Sequence, residues 1–239
     1  MQIRSPRWFD PLLVALLYYA GARFAISFTS MPEGGAIVWL PNAALLAALL
    51  LFRGAGWWRF ALAATAAEVV ADLPSFSLVE ALLFAAINLG EASLALLLLR
   101  RWGFDRTFSS IVDLARFVLA GPFVAALAAG FAGAFVYTTF RGGETPYLEF
   151  VRTWWLGDGL GLLILTPALM AFWPGARPDA SGCRADWLGM GVLLTSVALI
   201  GLMQDGQLGE VRLSPVLLLP GLLLAAARQS LRWTALGVA

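Results

Sequence analysis

Five ionisable residues stand inside long apolar stretches of this chain: Arg23, Glu68, Asp72, Glu91 and Asp158. Two carboxamides, Asn42 and Asn88, accompany them. A charge at the centre of a membrane-spanning helix costs about 2.5–3.5 kcal/mol on insertion scales, so such groups persist where they pair, hold protons or touch a ligand. Glu68 and Asp72 are four residues apart and Asn88 and Glu91 three apart, so each pair shares one helix face. Asp158 is flanked by Gly157 and Gly159. Four carboxylates face one arginine, and they cannot all be ionised in a dry bundle without more positive charge. Either some hold protons, or the cluster is hydrated, or it binds a cation or a cationic ligand. Three roles stay open on this ground. One is a hydrogen-bonded network that fixes helix order, with Arg23 paired to one carboxylate. The second is a ligand-sensing pocket open to the outer side. The third is a proton or ion path, as in a small-molecule or ion transporter. Pathways usually leave polar residues through both halves of the bilayer. These residues run from the middle to the outer side, which favours reception over transport.

The elements that carry them follow from composition. The chain has 239 residues, 60% hydrophobic and 13% charged. Soluble domains run at about 45–50% apolar and about 25% charged. A water-soluble core cannot absorb this much apolar surface, and a span needs only about 20 apolar residues. The expected fold is all-α: a polytopic transmembrane bundle of about eight helices, forming a single domain over residues 1–239. Helices are predicted at 9–29, 37–53, 57–73, 78–101, 112–140, 147–173, 185–203 and 214–228. Turn signals such as Leu73-Pro74-Ser75 and Arg141-Gly142-Gly143 separate them. Residues 230–239 read as the opening of a further apolar segment, so a truncated C-terminus or a short interfacial tail is expected. Spans follow the first apolar run at once, which favours an uncleaved first helix over a signal peptide.

All 16 basic residues are arginine. Twelve fall on the side of the N-terminus and three on the other, with Arg23 inside a span. The arginine-rich side is the cytoplasmic one, so the N-terminus is expected in the cytoplasm. Arg23 then lies about 20 Å along the first span from Asp10, in the outer half.

The chain has no histidine. That removes histidine-held haem, most zinc and copper sites, and a phospho-accepting histidine. No cofactor, metal or nucleic-acid partner is expected, and no nucleophile–base pair is present. Gly157-Asp158-Gly159-Leu160-Gly161 resembles a phosphate loop only superficially, because no strand precedes it and no Lys-Ser/Thr follows. It reads as close helix packing around a carboxylate. Gly121, Ala125, Ala129 and Gly133 form a small-residue row, as do Ala81, Ala85, Ala92 and Ala95, and both rows are expected to be packing faces. Trp154 and Trp155 fall near a predicted span end, where interfacial tryptophans gather. An aromatic cage for a cation is the alternative there.

Several segments resemble one family. Trp39-Leu40-Pro41-Asn42-Ala43-Ala44 is similar to the Trp-x-Pro-x-x-Gly opening of the second span in MASE1, a bacterial membrane-associated sensor domain. Ala44 departs from that pattern. Asn88-Leu89-Gly90-Glu91-Ala92 resembles its Gly/Asn-x-x-Glu-Ala segment. Trp154-Trp155-Leu156-Gly157-Asp158-Gly159-Leu160-Gly161 resembles its Trp-Trp-x-Gly-Asp-x-x-Gly motif, and Pro220 to Arg228 its late Pro-x-x-x-x-Ala-Ala-x-Arg segment. The resemblance implies a non-catalytic signal-input module of the bacterial inner membrane, ahead of a histidine kinase or diguanylate cyclase output. It implies a small ligand or a membrane-protein partner, and a homodimer, since such outputs work as dimers. It singles out Glu91 and Asp158, and with less support Asn42. Glu68 and Asp72 rest on depth alone.

Overall fold

The computed structural model describes residues 6–28, 36–52, 56–106, 108, 110–142 and 145–172. The helices predicted at 185–203 and 214–228, and the segment around Pro220, lie outside the described residues. The described residues fall within one of the chain's two units, Met1–Ala176. Their regular structure is all helical: α1 (Asp10–Phe28), α2 (Pro41–Leu51), α3 (Trp57–Asp72), α4 (Leu78–Arg101), α5 (Ile111–Val118), a π-helical segment (Leu119–Ala125), α6 (Ala126–Arg141) and α7 (Tyr147–Phe172). Among the described residues, three helical stretches are long and apolar enough to cross a membrane: Asp10–Phe28, Leu78–Arg101 and Val112–Arg141.

Helix α4 starts at Ser77 through a capping box. The Ser77 hydroxyl accepts from Glu80 N, and Glu80 Oε2 accepts from Ser77 N at 2.9 Å. Arg100 and Arg101 close its last turn, where positive charge complements the helix dipole. Ala81, Ala85, Asn88, Ala92 and Ala95 form its buried face, while Leu82, Leu83 and Leu97 point outward. A small inner face and a leucine-rich outer face suit helix packing within lipid.

Two predicted helices differ from expectation. The fifth was expected over 112–140, and the chain is helical throughout, but Pro122 lies inside it. Proline lacks an N–H and its ring collides with the preceding turn. The chain relieves this by widening to π geometry over Leu119–Ala125 before resuming as α6. The second was expected over 37–53 and is helical only over Pro41–Leu51. Its eleven residues span about 16 Å, half of the ~30 Å apolar core of a bilayer. The preceding stretch, Ala36 to Leu40, runs against α7, and Trp39 N donates to Gly157 O at 3.0 Å. Non-helical backbone at membrane depth is tolerated where protein surrounds it. Every residue of α2 is buried, and α1, α3, α4 and α7 all pack on it.

Glycines make that approach feasible. A Cβ on Gly157 would overlap the carbonyl oxygen of Ala36, and one on Gly161 that of Trp39. On the next face, a Cβ on Gly159 would sit 2.9 Å from Pro122 O of the π segment. The Gly-Asp-Gly-Leu-Gly run is thus a backbone-packing surface, as the sequence suggested.

At the far end of α6, Arg141 Nε donates to Glu80 Oε1 at 2.8 Å and Nη2 to Ser75 O at 2.7 Å. Its guanidinium lies 4.9 Å from the Phe76 ring centroid. This clamp ties α6 to the α3–α4 turn but is part-exposed, and exposed pairs contribute little. Arg141→Ala is expected to lower unfolding stability in detergent by only about 0.5–1 kcal/mol.

Candidate functional site: a buried carboxyl–carboxamide cluster

Six side chains from five helices meet in one network: Tyr18 of α1, Asn42 of α2, Glu68 of α3, Asn88 and Glu91 of α4, and Asp158 of α7. All are buried. Tyr18, Asn88, Glu91 and Asp158 stand about halfway along their helices, and Asn42 reaches them from the start of the half-length α2.

Asn42 is the hub. Its Nδ2 donates to Glu91 Oε2 at 2.7 Å and to Asn88 Oδ1 at 3.0 Å, with Asp158 Oδ2 at 3.5 Å. Its Oδ1 lies 3.0 Å from the Tyr18 hydroxyl, which also lies 2.7 Å from Glu68 Oε2. Asn88 Nδ2 donates to the other Glu68 oxygen. The Glu91 and Asp158 carboxyl groups thus converge on the same Asn42 Nδ2. Glu91 Oε1 is buried and has no N–H or O–H partner. Pro41 at the first turn of α2 sets up the hub, because proline suits a helix start and fixes where the next side chain points. The N-terminus of α2 carries partial positive charge and faces the carboxyl groups that Asn42 holds.

Of the residues singled out from sequence, Asn42, Glu68, Asn88, Glu91 and Asp158 come together here. Asp72 is buried one turn beyond Glu68, but no hydrogen bond among the described residues joins its side chain to the network. Arg23 does not join either. It lies five residues after Tyr18, about 140° around α1 from the cluster face, and makes no ion pair among the described residues. The expected arginine–carboxylate pair is therefore absent from the cluster. Trp154 and Trp155 sit inside α7 rather than at its end. The Trp154 ring fills the space over Gly133, where a Cβ would come within 2.6 Å, and packs on Phe84 at 5.5 Å. Its indole N–H turns toward Asp158 without closing a hydrogen bond of normal geometry. Trp155 Nε1 donates to Pro122 O at 3.0 Å. Both make packing contacts with neighbouring helices.

Tyr18 was missed from sequence. Tyrosine is usually interfacial in membrane helices, and this one is mid-helix on the buried face of Val14, Ala22 and Ala25. That misplacement was the available signal.

Comparison with known families matches residues 11–238 to MASE1. The chain belongs to the MASE1 family. Three MASE1-like segments, around Asn42, Glu91 and Asp158, are brought by the fold to one point. MASE1 domains are membrane-associated sensor domains, so this is a membrane signal-input domain of a multi-pass membrane protein. No curated protein and no solved structure matches the chain.

Proposed function

We propose that this MASE1 domain is the input module of a bacterial histidine kinase or diguanylate cyclase. It sits in the inner membrane with its N-terminus cytoplasmic, on the strength of the arginine distribution. It responds from the outer side to a small ligand or a membrane-protein partner. The observation that carries this reading is the cluster itself: one connected set of directional bonds joins α1, α2, α3, α4 and α7. A stimulus that changes one bond changes the preferred packing of five helices. A ligand shifts such an equilibrium only by its differential affinity for the two packings. The non-helical Ala36–Leu40 stretch, laid on the α7 glycines next to Asn42, is the route by which an outer-side event reaches the hub.

Full-length protein in a reporter strain tests this. Glu91→Gln and Asp158→Asn are expected to abolish the stimulus response while the protein still inserts at wild-type levels. A normal response from both variants rules out the cluster as the sensing element.

A further inference from the structure

The cluster is short of hydrogens. Tyr18 has one hydroxyl hydrogen and two acceptors, Glu68 Oε2 at 2.7 Å and Asn42 Oδ1 at 3.0 Å. One contact lacks a hydrogen unless Glu68 supplies it. Both Asn42 amide hydrogens are used on Glu91 and Asn88. Glu91 and Asp158 then face each other as acceptors only, with Glu91 Oε1 buried and unpartnered. A buried acceptor without a donor is destabilising, and two facing carboxylates are more so. Turning both carboxamides over does not mend this. It would satisfy Tyr18 but set carbonyl oxygens against Glu68 and Glu91, which would each need a hydrogen.

Among the described residues, no positive side chain offsets the charge. Among the described residues, α1 contributes Tyr18 to this site, α3 contributes Glu68 with Asp72 one turn on, α4 contributes Glu91, and α7 contributes Asp158. The buried faces of α2, the π segment and α6 carry no ionisable group. Arg23 is off the cluster face, and Arg141 is held at the α3–α4 turn by Glu80. The α2 N-terminus supplies about half a positive charge.

We propose that the cluster is a two-proton site. One proton sits on Glu68 and is donated to the Tyr18 hydroxyl, which donates in turn to Asn42. The second is shared between Glu91 and Asp158, the pair that converges on Asn42 Nδ2. Three carboxyl groups and two protons leave one negative charge, next to the α2 N-terminus. The assignment is independent of the signalling role.

Infrared spectroscopy of the full-length protein in lipid nanodiscs tests it, because a protonated carboxyl has a C=O stretch that a carboxylate lacks and that shifts in D2O. At neutral pH, with or without sodium, the wild type is expected to show two buried protonated-carboxyl bands. Glu68→Gln should remove one. Asp158→Asn, or Glu91→Gln as a second variant, should remove the other. Each amide carries the hydrogens of the protonated acid, so all three variants should fold. Absence of the bands, their loss on adding sodium, their persistence in the variants, or collapse of the amide variants would each overturn the proposal.

Discussion

Asn42→Leu is expected to be the most damaging polar substitution in the described part of the chain. Leucine matches the volume but removes three contacts at once: the donations to Glu91 and Asn88 and the acceptance from Tyr18. Glu91 would then face Asp158 with both of its oxygens lacking an amide donor. Each buried polar group left unsatisfied costs about 1–3 kcal/mol. Hydrogen bonds between membrane helices average less, about 0.6 kcal/mol, because separated helices also find partners. A fully buried carboxyl group such as Glu91, held by Asn42 of the half-length α2, has few such alternatives. A loss of roughly 2–4 kcal/mol is therefore expected, measured as a shift of the detergent-unfolding midpoint with its slope unchanged. A loss below that of Arg141→Ala would mean that the network contributes little to holding the helices together.

Gly161→Ala is expected to rival it by a different route. The added Cβ would overlap the Trp39 carbonyl oxygen, a backbone atom with no rotamer to move into. The Ala36–Leu40 stretch would have to lift off α7, breaking the Trp39 N to Gly157 O bond and displacing Asn42 next to it. Overpacking a well-filled site costs about 1–3 kcal/mol, and a backbone collision belongs at the upper end. Gly90→Ala is the control: a Cβ there meets nothing within 4 Å. It should be neutral or raise stability by up to about 1 kcal/mol through helix propensity. The two alanines, measured by the same unfolding assay, should differ in sign.

Much of this fold was legible because helix periodicity, caps and membrane length are local properties. The fourth helix was expected over 78–101, and α4 runs over Leu78–Arg101. The two departures are tertiary. The residues before Pro41 are apolar enough for a helix, but they are non-helical where they dock on Gly157 and Gly161 of α7. Pro122 lies inside the fifth helix, and the π widening around it keeps the helix running instead of ending it. The site divides similarly. Glu68, Asn88, Glu91 and Asp158 were found because charge and amide groups are anomalous inside apolar helices. Arg23 misled because opposite charge at similar depth suggests pairing, while its angular position on α1 prevents it. Tyr18 escaped because tyrosine is no anomaly in a membrane helix until its depth is weighed.

The central claim is that the cluster senses as well as supports. It is tested most directly by measuring unfolding stability and stimulus response together, in the full-length protein, for Glu68→Gln, Glu91→Gln, Asp158→Asn, Gly161→Ala and Arg141→Ala. The three amide variants are predicted to keep near-wild-type stability and lose the response, lying far from any line that relates output to stability. If response instead falls in proportion to stability across all five, the cluster is a structural network and the sensing element lies elsewhere.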